Sequence, residues 1–363
     1  MASLARFVAA KVTNAIITLA VALLLISSIF SVYTVVEKYS SVQEAYILGL
    51  RQLEIQYAQN PELLEEKRLQ LWENLLRQNG LTGNFMFDIV NWTKILLIRN
   101  LTFDFGTTRY SYIGGTNEVG EILIIALKNT AILFLTATLI TFIIGIILGF
   151  QMARKPGSIL DRVISVFGMI SWSMPTWWVA IIMLLVFSFY LDLFPSQAMY
   201  VYYELGQLNL DEMGFIDGLM AQAKIWLKYM TLPVATIVLV SFGGAAYLIR
   251  NIVLGVLQED FVMTARARGL PERRVVYGHV LRTSSPPIVT YLALSIVGAF
   301  GGAIITEAVF GWPGMGLIYW VAIQQFDAPV LVASTWVLTV AFIITILILD
   351  FIYSMLDPRV KVG

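Results

Sequence analysis

The chain has 363 residues, 58% of them hydrophobic and 13% charged, and its 24 basic and 24 acidic residues cancel to a net charge of zero. An ordinary soluble domain carries about 25% charged residues, so the composition excludes that class, and the balanced charge leaves no electrostatic footprint for nucleic acid. The absence of cysteine excludes disulfides and thiolate metal sites.

A bilayer-crossing helix needs about 20 largely apolar residues. Runs of that kind fall at 12–33, 122–152, 162–191, 231–257, 287–308 and 331–354, which predicts an all-α integral membrane protein with six spans. The first run exceeds a signal-peptide core and no small-residue cleavage site follows it, so it reads as a retained span. The chain then divides into an N-terminal segment with the first span (1–33), an insertion (34–120) and a five-helix core (121–363) carrying a basic loop at 258–285.

Positive charge near span ends marks the cytoplasmic side. Arg6 and Lys11 precede span one, and Arg154, Lys155 and Arg162 lie between spans two and three. Arg266, Arg268, Arg273, Arg274 and Arg282 lie between four and five, and Arg359 and Lys361 follow six. The loop from Phe310 to Val330 has no Lys or Arg. Both termini are therefore expected in the cytoplasm and 34–120 outside. In that insertion, Asn60-Pro61 followed by Glu62, Glu65 and Glu66 predicts a helix start, with Gly80 as its stop. Its leucines form either a cap packed on the membrane core or a docking surface for an external partner. Asn91 and Asn100 each begin a glycosylation sequon.

No phosphate-binding G-x-x-x-x-G-K-[ST] loop, G-x-S-x-G elbow or H-E-x-x-H pair is present, and His279 is the single histidine. No catalytic residue and no metal site are therefore expected. Lys128, Arg250, Glu307 and Asp350 sit toward span ends, where side chains can snorkel. With the spans otherwise poor in ionisable groups, the energy source is expected elsewhere: a passive conduit, or a subunit driven by a partner.

The segment Gln258–Val275 predicts a short helix capped by Asp260, running through Met263, Ala265 and Ala267, ended by Gly269 and Pro271. A second helix then starts at Glu272. This design serves two ends equally: an interfacial helix whose arginines meet anionic lipid, or a lever against another protein.

The run Thr264-Ala265-Arg266-Ala267-Arg268-Gly269-Leu270, continued to His279-Val-Leu-Arg282, resembles the EAA signature of binding-protein-dependent ABC importer permeases, in their dipeptide/oligopeptide branch. It departs from the general pattern at Met263 and Thr264, where Glu and Ala are usual, and at Arg282, often proline. Further similarity lies in Asp104-Phe-Gly106-Thr-Thr, Lys155-Pro156-Gly157-Ser158, Ser173-Met-Pro175-Thr-Trp177, Glu307-Ala-Val-Phe310-Gly-Trp312-Pro313-Gly314 and Leu356-Asp357-Pro358-Arg359.

The resemblance implies a type I ABC importer permease fold, multi-pass in the plasma or inner membrane. It implies a homologous second permease subunit, two ABC ATPase subunits that hold ATP and Mg, an extracytoplasmic substrate-binding protein and surrounding lipid as partners, with no cofactor in this chain. Asp260, Thr264, Ala265, Arg266, Ala267, Arg268, Gly269 and Leu270 would couple to an ATPase. Ser171, Ser173, Pro175, Trp177, Gly298, Gly301 and Gly302 are candidates for pathway lining, against the alternative of helix packing. Gly145 and Gly149 read as a packing pair. Glu307, Trp312, Pro313 and Gly314 would form an external gate or a structural turn. The implied cargo is di- or oligopeptide, with oligosaccharides or nickel complexes as alternatives; an ATP-independent transporter or a membrane scaffold remain the other classes.

Overall fold

The computed structural model describes residues 2–209, 213–299 and 303–356. Among them the chain is helical, with one antiparallel bridge, Thr107 to Glu118, and no longer strand. In order the helices are α1 Ala2–Gln56, α2 Pro61–Gln78, α3 Phe85–Thr102, α4 Val119–Arg154, α5 Ile159–Ser173, α6 Thr176–Met183, α7 Val201–Gly206, α8 Phe215–Leu257, α9 Asp260–Ala267, α10 Glu272–Arg274, α11 Leu281–Ala299, α12 Ile304–Phe310, α13 Met315–Gln324 and α14 Ala328–Leu356. Wider π-helical turns continue α6 through Leu184–Tyr190 and join α10 to α11 through Val275–Val280.

Four helices are long and apolar enough to cross a membrane, and two bent pairs raise the number to as many as six. The span expected at 162–191 is not straight: α5 and the run Thr176–Tyr190 meet at 100°. Pro175 disfavours helical geometry in the residue before it, and Met174 is extended (φ −84°, ψ 129°). The run expected at 287–308 is divided between α11 and α12, with Ala303 extended ahead of α12 (φ −140°, ψ 94°). The second bent pair is instead α12 with α13, at 89°. The first span was expected to end near residue 33, yet α1 continues to Gln56. No proline precedes Pro61, so the change to polar residues after 33 alters the solvent the helix suits and leaves its backbone intact. Outward faces are apolar, with Ile16, Leu24, Leu25 and Ile29 exposed on α1 and Ile143 and Ile147 on α4. Surfaces of this extent suit lipid and not water.

By contact density the chain forms two units. The first comprises Met1–Lys11, Ile124–Trp320 and Ile344–Gly363. Within it, α5 crosses α8 at glycines: a Cβ on Gly168 would lie 2.7 Å from the Gly243 carbonyl carbon. Gly145 and Gly149 of α4 abut Ala245, Ala246 and Ile249 of α8 in the same way, the packing role expected of them. The second unit comprises Val12–Leu123 and Val321–Ile343. Its core packs Val35, Val42, Leu76 and Leu81 with Tyr39 and Trp92. The predicted helix from Pro61 is present, and the Asn60 side chain accepts from Leu63 N at 3.3 Å. Gly80 takes the left-handed φ of 68°. Buried Asp88 ties this region together by accepting from Tyr39 Oη (2.7 Å), Thr82 N (2.9 Å) and Thr82 Oγ1 (2.7 Å).

Candidate functional site

The loop helix α9 begins with Glu259 at the cap position, not Asp260. Glu259 makes no side-chain cap bond, and Asp260 is the first helical residue, its carbonyl accepting from Thr264 Oγ1 at 2.9 Å. Gly269 ends the helix as expected. Its φ is 75°, Gly269 N donates to Arg266 O (2.9 Å) and Leu270 N to Ala265 O (3.3 Å). This 5→2 and 6→1 pair is a Schellman closure. No atom lies within 4 Å of where a Gly269 side chain would start, so glycine is required there by the backbone angle and not by space.

The two faces of α9 divide the expected contact residues. Val262 and Ala265 are buried against Ile249, Val253, Val275, Val280 and Ile288, with Leu270 beside them. Ala265 therefore packs on the chain's own membrane helices, with half-buried Leu270 beside it. The outward face presents Asp260, Phe261, Met263, Thr264, Arg266, Ala267, Arg268 and Gly269. Arg266 donates to both Glu272 carboxylate oxygens, at 3.2 and 2.8 Å. The guanidinium holds the Glu272 carboxyl below its ordinary range, and the carboxylate raises Arg266 in turn. Arg266 thus clasps α9 to α10, and Arg268 makes no ion pair among the described residues. Phe261 and Met263, 40% and 58% exposed, also stand outward, and the sequence reading gave neither a contact role. Their apolar character beside a basic run was the available signal.

Of the candidate pathway residues, Ser171 is buried and donates to Gly168 O at 3.3 Å, and Ser173 donates to Met169 O at 2.9 Å. Both spend their hydroxyls on their own helix. Pro175 sets the bend, and Trp177 is 39% exposed just beyond it. Gly298 lies in the last turn of α11, where side-chain surroundings are not described, and Gly301 and Gly302 lie outside the described residues, as do Arg359 and Lys361. A cavity of about 160 Å³ opens instead among Thr138, Thr141, Phe142, Ser241, Tyr291 and Ser295 on α4, α8 and α11. Hydroxyls recurring within apolar spans were its only trace in the sequence.

The Glu307–Gly316 turn is built as one buried polar knot. Glu307 was expected to snorkel at a span end, but it is fully buried. It accepts from Gly316 N (2.9 Å) and from Thr130 Oγ1 (3.2 Å), while Thr130 Oγ1 also accepts from Met315 N (2.8 Å). Asn129 Nδ2 donates to Pro313 O (2.6 Å) and to Tyr202 Oη (2.7 Å), and Trp312 Nε1 returns a bond to Asn129 O (3.1 Å). Gly311 has φ 58° with the Gln197 amide against it, and a side chain on Gly314 would meet the Glu307 and Thr130 oxygens. Trp312 is fully buried and packs edge-on to Trp226. Arg250 is likewise no snorkelling group: it grips the buried Asp161 carboxylate through Nε (2.5 Å) and Nη2 (2.9 Å). Among the described residues no group of three or more His, Asp or Glu is arranged to hold a metal ion.

An apolar helical assembly, with a Schellman-closed loop helix between α8 and α11 and a sharply bent, knotted turn at Glu307–Gly316, defines the class as an integral membrane protein. The chain belongs to the family of binding-protein-dependent transport system inner membrane components, whose pattern it matches over residues 143–362. It is 30% identical over 260 residues to the oligopeptide transport system permease protein AppB of Bacillus subtilis, covering 71% of this chain and 76% of that protein. It is also 30% identical over 241 residues to the dipeptide transport system permease protein DppB of Escherichia coli K12, covering 64% and 68%. The di/tripeptide permease protein DppB of Pseudomonas aeruginosa is 30% identical over 240 residues, covering 63% and 69%.

Proposed function

We propose that this chain is the permease subunit of an ATP-driven importer and forms part of the path for di- or oligopeptides handed over by an external binding protein. The observation that carries the reading is the outward face of α9, where Phe261, Met263, Thr264, Ala267 and Arg268 stand on a helix anchored by Val262 and Ala265. A short helix fixed at its base and bare at its face transmits a push without dissipating it. The peptide cargo rests on the named functions of the relatives from Bacillus, Escherichia and Pseudomonas.

In this reading the chain hydrolyses nothing. Two ATPase subunits with ATP and Mg bind below it, and a second permease subunit completes the path. Six spans leave both termini in the cytoplasm and 34–120 outside, where the binding protein docks. The segments 1–33, 34–120 and 121–363 act as anchor, external insertion and core, with the loop 258–285 as the coupling element. Glu307, Trp312, Pro313 and Gly314 hold the external turn that the path closes against.

The test is uptake of a labelled dipeptide by vesicles carrying the assembled importer. Phe261→Glu and Met263→Glu change exposed side chains, so the chain should assemble normally while ATP-driven uptake falls at least about tenfold, the effect of roughly 1.4 kcal/mol at the contact. Undiminished uptake by the doubly substituted importer would overturn the coupling role. Saturable uptake of an oligosaccharide or a nickel complex in place of dipeptide would reassign the cargo.

A further inference from the structure

The helices α2 and α3 of the 34–120 insertion turn opposite chemistry outward. On α2 the exposed positions include Glu62, Glu65, Glu66, Glu73 and Arg77, a face that suits water. On α3 they include Met86, Val90, Lys94, Ile98 and Leu101, a single stripe at helical spacing. Its four apolar members are 53–69% exposed. The opposite stripe turns inward: Asp88, Leu96 and Asn100 are buried, and Trp92 joins the core. A helix in water shows the reverse, with its carboxylate and amide outside and its isoleucine and leucine within.

Contacts inside the same unit fix how deep α3 sits. Near its start Asp88 accepts from Tyr39 Oη (2.7 Å), one turn on Lys38 covers the Trp92 ring (4.5 Å), and Thr93 Oγ1 meets Ser31 Oγ at 2.8 Å. Ser31 lies inside the apolar run 12–33, so α3 returns along α1 from its polar continuation toward the span. Val32 and Val36 of α1 are exposed beside these contacts and extend the lipid-suited surface of Leu25 and Ile29.

The far end of α3 reaches deeper. The Phe103 ring lies 6.5 Å from the Trp336 ring. Trp336 belongs to the apolar span Ala328–Ile348, about 12 Å along the axis from Ala328 at 1.5 Å per residue. Phe103 closes α3 with φ 56°, a region where a bulky side chain is uncommon, and its ring is exposed. Glycine would close the helix without that strain; an outward aromatic at span depth suits acyl chains. Lys94 and Arg99 are the exposed cations of α3. Their stems let the charge rise to headgroups while the helix body stays among acyl chains.

We propose that α3 is an interfacial helix, lying in the lipid leaflet beside α1 and α14 with Met86, Val90, Ile98, Leu101 and Phe103 among lipid and α2 in the water. The bilayer, not another protein chain, covers the stripe and anchors the insertion. Neither ATP, an ATPase subunit nor a cargo enters into it. The chain has no cysteine, so single thiols can carry a nitroxide label. Val90→Cys, Ile98→Cys and Leu101→Cys on α3 and Leu69→Cys on α2 all change exposed residues. Each is labelled in the purified full-length chain in lipid nanodiscs. Power-saturation EPR then compares collisions with oxygen, which concentrates in lipid, and with a nickel chelate, which stays in water. Oxygen should dominate at the three α3 sites and the chelate at Leu69. The label at Leu101 should read deeper than that at Val90, since about 16 Å of axis separates them at 1.5 Å per residue. The same order is expected in the assembled importer. Chelate dominance at Ile98 and Leu101 would place the stripe in water and overturn the proposal. Low collision with both reagents would place it under protein and overturn it equally, assigning the stripe to a second copy if seen in nanodiscs and to a partner subunit if seen only on assembly. The three α3 sites lie on separate turns, so a label that disturbs the fold at one leaves the other two to decide.

Discussion

The pair Asp161–Arg250 joins the start of α5 to α8, and its double substitution gives the sharpest test of the packing described. Side-chain exposure is 5% for Asp161 and 17% for Arg250, so neither charge is rescued by solvent. Removing one partner of such a pair typically costs 3–5 kcal/mol, because the other charge stays buried. The two sides are unequal here. After Arg250→Met, Asp161 keeps Gly157 N (2.8 Å) and Ser165 Oγ (3.5 Å), whereas after Asp161→Leu, Arg250 keeps Asn251 Oδ1 (3.0 Å) and the more distant Tyr247 ring (6.0 Å). We expect about 3 kcal/mol for Arg250→Met and about 4 for Asp161→Leu. The double variant buries no unpaired charge and loses chiefly the Gly157 bond, about 1 kcal/mol. The singles sum to about 7 against about 1 for the double, a coupling of about 6 kcal/mol, high for a pair and reflecting two stranded charges. Reversible SDS titration in mixed micelles, read by tryptophan fluorescence, measures all four corners of the cycle. A double variant as unstable as the sum of the singles would refute the reasoning.

Gly149→Leu places a Cβ 2.8 Å from Ala246 O and 2.9 Å from Ile249 Cβ and should lower stability by about 1–3 kcal/mol, readable in the same titration. Asn60→Ala removes the cap bond to Leu63 N and should cost about 1 kcal/mol, seen as faster amide exchange in the first turn of α2. Glu204 lies outside the spans, and bonds from Lys228 and Tyr229 hold its carboxyl below the ordinary value. Its contribution is complete above the unfolded value near 4.3 and is lost as pH falls through the lower folded value. Acid unfolding should therefore flatten below about pH 4.3 in Glu204→Gln relative to wild type. An identical acid limb in the two proteins would count against that bond.

What could be read from sequence follows the range of the forces involved. The α2 boundaries were legible because Asn60, Pro61 and Gly80 act on the backbone within a turn. The Gly269 stop was legible for the same reason. The Gly145–Gly149 contact was legible as a type of packing but not as a partner. Glu307 and Arg250 were misread because their partners lie 177 and 89 positions away, and a charge near a span end looks identical whether it reaches for headgroups or for a buried acceptor. Ala265 was assigned outward because small residues suit close approach from either side, and only the position of α8 decides which. The bend at Met174-Pro175 carried a local signal in the proline, but a kink angle depends on what the two halves pack against.

The Gly168–Gly243 contact has a mechanical consequence. Where two helices meet backbone to backbone, no rotamer change at that point lets one slide past the other, and here Phe167 stacks on Phe242 beside the contact at 5.1 Å while Trp172 lies against Gly244. The α5–α8 crossing therefore behaves as a weld, and α4 is pressed against the same helix through Gly145 and Gly149. A displacement of α8 would carry α4 and α5 with it. The compliance has to sit at the joints the backbone leaves open, the extended Met174 before Pro175 and the widened turns at Val275–Val280, which makes them the bearings about which the welded block can turn.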